Sequence, residues 1–117
     1  MEIMEYKLNR AWAEINLDNI AHNVREVRKI VGDRTAILGV VKADAYGHGA
    51  LEVSRIVMEN GAAYIAVATL SEALEIRKRF KDYKILIMGF TPDRLLEYVV
   101  KNNITQTIFS YGQGRLL

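Results

Sequence analysis

The sequence predicts an α/β fold of about four parallel strands alternating with helices, and three observations predict it. Short apolar runs recur at residues 37–41, 64–68, 85–88 and 105–109. The stretches between them carry apolar residues at spacings of three and four, the period of a helix with one buried stripe. The runs are apolar throughout rather than alternating, as expected of strands covered on both faces and paired in parallel. Their starts lie roughly twenty to thirty residues apart, the pace of a (β/α) barrel or a doubly wound sheet. Periodicity alone leaves a short open sheet and half of a barrel both open.

The elements follow in order. Residues 10–16 read as a leading strand, with Trp12, Glu14 and Asn16 alternating against Ala11, Ala13 and Ile15. Asn16 or Asp18 caps the first helix, whose stripe is Ile20, Val24, Val27, Ile30 and Val31, and Gly32 ends it. The strand at 37–41 leads into Lys42. Leu51, Val53, Ile56 and Val57 mark a second helix, stopped at Asn60-Gly61. After the strand at 64–68, Thr69 and Glu72 have the spacing of a capping box, followed by the stripe Ala73, Ile76 and Phe80. After the strand at 85–88, Thr91 is the expected cap of a helix with Pro92 at its first position. Leu95, Leu96, Val99 and Val100 line its inner face, and Asn103 ends it. The run at 105–109 is a fourth strand. Ser110 is placed to cap a helix that does not follow, and Gly112-Gln113-Gly114 reads as a turn. No linker or internal repeat divides the chain.

Composition excludes several classes of function. The chain has 117 residues, half of them hydrophobic, and a single proline, so it has the makings of one packed domain. A net charge of +2, with basic and acidic residues intermingled, gives no nucleic-acid footprint. Without cysteine there is no disulfide and no thiolate metal site, and His22 and His48 are too far apart in sequence for a metal-binding spacing. Glu2, Glu5 and Lys7 fall where a signal peptide needs its apolar core, and no apolar run approaches the ~20 residues of a membrane span. The expectation is a cytoplasmic protein with no nucleic-acid or membrane partner.

The most informative stretch is Val41-Lys42-Ala43-Asp44-Ala45-Tyr46-Gly47-His48-Gly49. It sets one lysine directly after a buried strand. A lysine leaving a core is partly desolvated, which disfavours its charged form and suits an amine that must act as a nucleophile. Four residues on, the phenol of Tyr46 leaves the same strand end and is placed to hydrogen-bond an anion. The plainer alternative is a solvated strand-end lysine followed by an ordinary glycine-histidine loop. The pattern points to a covalently held aldehyde cofactor.

This nine-residue stretch resembles the pyridoxal-phosphate lysine signature of the alanine racemases, with Asp44 where Asn is more usual in that family. The resemblance extends to the flanks. Residues 10–20, with Asn23 following, resemble the family's first strand and helix, residues 66–73 its second barrel strand and next helix, and residues 85–89 its third.

The resemblance implies that residues 1–117 are the N-terminal part of a (β/α)8 TIM-type barrel, the remainder of which, with a C-terminal β domain, lies beyond Leu117. Eight βα units typically need about 250 residues. It implies pyridoxal 5'-phosphate as cofactor and racemisation of L- and D-alanine, a supply of D-alanine for peptidoglycan, as the reaction of a homodimer. It implies that Lys42 carries the cofactor and serves as one of two bases, that Tyr46 contacts the cofactor phosphate, and that Met88 is an apolar neighbour of the cofactor. For Tyr46 the alternative is an aromatic packed at the barrel mouth, and for Met88 ordinary strand core. The second base, a tyrosine of the β domain, lies outside this chain, so the segment alone is expected to be inactive and to associate rather than persist as a monomer. Two other readings use the same lysine: a racemase for serine, lysine or a broad range of amino acids, and a non-catalytic cofactor-binding barrel. An inert fragment is the fourth.

Overall fold

The computed structural model describes residues 9–117. Its elements run in order α1 (Leu17–Val31), β1 (Ile37–Val40), a five-residue turn (Lys42–Tyr46), α2 (Ala50–Glu59), β2 (Ala62–Val67), α3 (Leu70–Arg79), β3 (Ile85–Ile87), a 3-10 turn (Asp93–Leu95), α4 (Leu96–Lys101), β4 (Thr105–Gln106) and α5 (Tyr111–Leu116). The four strands form one parallel sheet in the order β1-β2-β3-β4.

That order decides between the two parallel architectures. A crossover between parallel strands is right-handed in nearly every case, so strands laid down in one direction put every connecting helix on the same face. A doubly wound sheet must reverse direction, and this one does not. Ile65, Val67, Ile85 and Ile87 are wholly buried beneath the helices, together with Val57, Ala73, Ile76 and Val99. On the other face Leu38 and Val40 remain more than a third exposed. A parallel sheet covered on one side is the opening part of a (β/α) barrel, whose second face becomes its interior.

Local chemistry explains most of the boundaries. Asn16, rather than Asp18, caps α1, its side chain accepting from the Asn19 N–H at 3.1 Å. Thr69 caps α3 by accepting from Glu72 N–H, while the Glu72 carboxylate reaches back to the N–H of Ala68, one residue before the expected partner. β2 begins two residues earlier than expected, at Ala62, and β4 is only two residues long.

Several expectations are corrected. Residues 11–16 form no strand, and β1 is an edge of the four-stranded sheet. In α1 the inward face is Leu17, Ile20, Ala21, Val24, Arg28 and Val31, whereas Val27 and Ile30 face outward. Thr91 caps nothing: it is buried, its hydroxyl donating to Gln106 Oε1 at 2.6 Å, and the helix after it opens with the 3-10 turn. Leu96 and Val99 are the buried residues of α4, and Val100 is exposed. The helix after Ser110 does form. Ser110 Oγ accepts from the Gln113 N–H at 3.1 Å, and buried Gln113 donates to the Thr91 carbonyl, outweighing two glycines of low helix propensity.

Candidate active site

Lys42 stands at the C-terminal end of β1, half-buried. The ladder continues one residue past the strand, Val41 N–H donating to the Ala66 carbonyl at 2.8 Å. Val41 itself is in the helix-side core, and its φ of -125° and ψ of 23° end the extended backbone there, so that Lys42 opens the turn. Val40 is level with Ala66, and Val67 with Ile87. The bonds of Val41 to Ala66 and of Met88 and Gly89 to Val67 and Ala68 line up the ends of β1, β2 and β3 in one row, and Lys42 is the residue after Val41. Lys42 and Met88 both follow the C-terminal ends of strands, the end at which barrels keep their active sites. Met88 is half-buried, and its N–H donates to the Val67 carbonyl at 2.8 Å.

The row is packed tightly. A Cβ on Gly89 would lie 2.4 Å from the Ala68 carbonyl oxygen, closer than real Cβ atoms come to another atom. Only glycine lets the two strand ends approach so closely just beyond Met88.

After Lys42 the chain does something that the sequence signalled only faintly. Ala43, Asp44, Ala45 and Tyr46 have φ of 50, 54, 53 and 58°, a single left-handed helical turn of four L-residues. Each costs about 1–2 kcal/mol in that conformation, so the turn persists only because its surroundings determine it. The Ala45 N–H donates to the Val41 carbonyl at 2.9 Å, and the N–H groups of Gly47 and Gly49 donate to the Asp44 carbonyl at 3.1 and 2.9 Å. Ala45 is buried in the core. The backbone N–H and Nδ1 of His48 both lie within hydrogen-bond reach of the Ala45 carbonyl. Asp44 Oδ1 accepts from the Ala50 N–H at 2.8 Å.

The turn leaves Tyr46 61% exposed. His48 is engaged with its own turn, and His22 lies on the exposed face of α1. Among the described residues no group of three His, Cys, Asp or Glu side chains could hold a metal. No helix there is long and apolar enough to cross a membrane.

The residues that sequence reasoning missed are polar and buried at long range. Beside the row, Gln106 Nε2 donates to the Gly89 carbonyl at 2.8 Å and its Oε1 accepts from Thr91, fixing the loop after β3. At the opposite end of the sheet Arg77, 7% exposed, donates to the carbonyls of Phe80, Lys81, Asn102 and Asn103. Arg28 does the same for Gly32, Thr35 and Gly61. An arginine at an otherwise apolar helical position, with no carboxylate at i±4, was the available signal.

A parallel sheet wound in one direction, with helices on one face, defines the class: the N-terminal part of a (β/α)-barrel domain. The family described as alanine racemase, N-terminal domain, matches residues 15–117. The chain belongs to that family.

Among relatives, the alanine racemase of Clostridium tetani is 50% identical over 104 residues, which cover 89% of this chain and 27% of that protein. Alanine racemase 1 of Clostridium acetobutylicum is 51% identical over 106 residues, with 91% and 27% covered. Among solved structures, alanine racemase of Clostridium difficile 630 superimposes with a TM-score of 0.87 at 39% identity, over 93% of this chain and 30% of that one. The Bacillus anthracis alanine racemase with bound L-Ala-P gives 0.84 at 35% identity, over 87% and 26%. The chain spans about 27% of the length of the relatives it matches.

Proposed function

We propose that this chain is the cofactor-lysine segment of a pyridoxal-phosphate-dependent alanine racemase that interconverts L- and D-alanine as a homodimer. What supports the reading is Lys42 itself, a half-buried amine just past the C-terminal end of β1, within the nine-residue stretch that resembles the family's cofactor-lysine signature. The residues fit the cofactor. Lys42 supplies the amine for a covalent anchor, Tyr46 an exposed hydroxyl for its phosphate, and Met88 an apolar wall beside it. When bound, pyridoxal phosphate supplies an electron-withdrawing ring that acidifies the substrate's α-carbon.

The part of this chain in the reaction is then positional and basic. Lys42 Nζ takes or returns a proton on one face of the substrate. Racemisation needs a second base on the other face, and the resemblance puts that base in another part of the complete protein. The left-handed turn keeps Tyr46 at a set distance from Lys42. A phosphate anchored there confines a ligand's reactive end to the row of strand ends. The substrate is alanine, in keeping with relatives named as alanine racemases.

The test is chemical trapping. The complete protein, loaded with pyridoxal phosphate and reduced with borohydride, is expected to carry the pyridoxyl group on the peptide containing Lys42. Lys42→Ala is expected to lose both the label and the visible absorbance of the bound cofactor. Label on Lys78, Lys81 or Lys84 instead would overturn the assignment.

A further inference from the structure

Asp44 lies midway between the two residues that face the cofactor, yet is itself exposed and has no place in the chemistry. Its carboxylate bonds the other way, to α2. We infer that Asp44 is a positioning residue: its carboxylate fastens the left-handed turn to the first residue of α2 and so sets where Lys42 and Tyr46 stand.

Three observations carry this. The N-cap of α2 is Gly49, which has no side chain, so no cap bond comes from the usual position. Asp44 supplies it from five residues upstream, Oδ1 accepting from the Ala50 N–H at 2.8 Å. Its own carbonyl accepts from Gly49 at 2.9 Å, so backbone and side chain close the same loop from both sides. The helix at the far end of this link is packed against the sheet. Val53, Ile56 and Val57 are buried, and Val57 packs onto β1 so closely that a Cβ on Gly39 would meet its Cγ2 at 2.9 Å. The residue type also suits the backbone, since Asp accepts the left-handed region with less strain than most L-residues. A carboxylate at a helix N-terminus is further favoured by the dipole of the helix.

A turn with nothing but its own strained backbone would be free to relax, swinging Tyr46 relative to Lys42. The Asp44 bond instead references both to a helix locked on the sheet. This rests on the cofactor assignment only for its effect on binding; the contact to Ala50 stands without it.

The test compares Asp44→Gly with Asp44→Asn in the complete protein. Glycine takes the left-handed angle freely, so that variant deletes the acceptor without adding strain. Asparagine keeps an acceptor oxygen. In the cofactor-free protein, Asp44→Gly is expected to speed amide exchange at Gly49 and Ala50 while β1 and β2 stay protected. In titrations with pyridoxal phosphate its Kd is expected to rise about tenfold, the effect of one lost hydrogen bond to a charged group, and Asp44→Asn is expected to restore both. Faster exchange with an unchanged Kd would reduce Asp44 to a helix cap and overturn the inference, as would unchanged exchange. If the unsubstituted protein binds no pyridoxal phosphate, the cofactor assignment falls, and the exchange data still decide the contact.

Discussion

The two ends of this sheet are held by opposite means. At the N-terminal ends of the strands, loops are drawn in by two guanidinium groups, one half-buried and one buried. Arg28 joins the end of α1 to the end of α2, and Arg77 joins the end of α3 to the end of α4. Each gathers carbonyls that helix C-termini leave without partners, where a cation also meets the negative end of the helix dipole. At the C-terminal ends the chain is held by unfavourable backbone angles, a glycine contact that no other residue could make, and a net of amide side chains. Exposed aromatics gather there as well. Phe90 and Phe109 meet edge-to-face at 6.1 Å, each about three-fifths exposed. The difference teaches where stability is stored and where it is spent. One end maximises satisfied bonds, and the other accepts strain to place Lys42 and its neighbours.

If that division is right, changes at the two ends must differ in kind. The largest effect is expected from Arg77→Met, which keeps the apolar stem but leaves four carbonyls without their donor. A loss of about 3 kcal/mol in unfolding free energy is expected by denaturant titration, with cofactor affinity unchanged in the folded fraction. A Kd that moves in parallel would show that the two ends are not separable. Gly89→Ala comes next. It forces Cβ onto the Ala68 carbonyl and is expected to cost about 2 kcal/mol while also weakening cofactor binding, because Met88 shifts with it.

Ala43→Gly sharpens the comparison, because it relieves strain at a position whose angle glycine prefers. Stability is expected to rise by about 0.5 kcal/mol while cofactor affinity falls, since a looser turn no longer fixes Tyr46. A gain in both would show that the strain serves nothing.

The smallest effect lies at the arginine end. Tyr83 stacks on Phe80 at 4.4 Å, and burial, aided by the charge of Glu59, pushes its phenol up from its ordinary value of 10.0. The folded state therefore holds that proton more tightly than the unfolded chain does. Stability from this source is present below the ordinary tyrosine range and is lost as pH rises through the higher folded value. Tyr83→Phe is expected to flatten the alkaline fall in urea midpoint between pH 9 and pH 11; an identical fall in both proteins would remove Tyr83 from the account.

Much of this was legible from residue order. Apolar runs and helical spacings located the strands and main helices, because each depends on neighbours within a few residues. Lys42 was legible for the same reason, as a break in an apolar run. Arg77 was not, since two of its acceptors lie 25 and 26 residues away and no local pattern announces them. Thr91 has the look of a helix cap, but its hydroxyl is taken by the half-buried amide of Gln106 on β4. The strand expected at residues 10–16 has the right alternation, yet a strand exists only through a neighbour's backbone, which no single segment encodes. The left-handed turn was signalled only by Asp44 and Gly47, for alanine ordinarily favours the right-handed form.

That turn also bears on how the segment tolerates change in length. Surface connections usually absorb an extra residue with little penalty, but here the chain winds as a helix, each residue turning it by about 100°. One residue inserted or deleted between Lys42 and Tyr46 would carry the phenol a quarter of the way round and lift Ala45 out of its socket. The link from β1 to α2 is a counted segment, in which the number of residues matters as much as their identity.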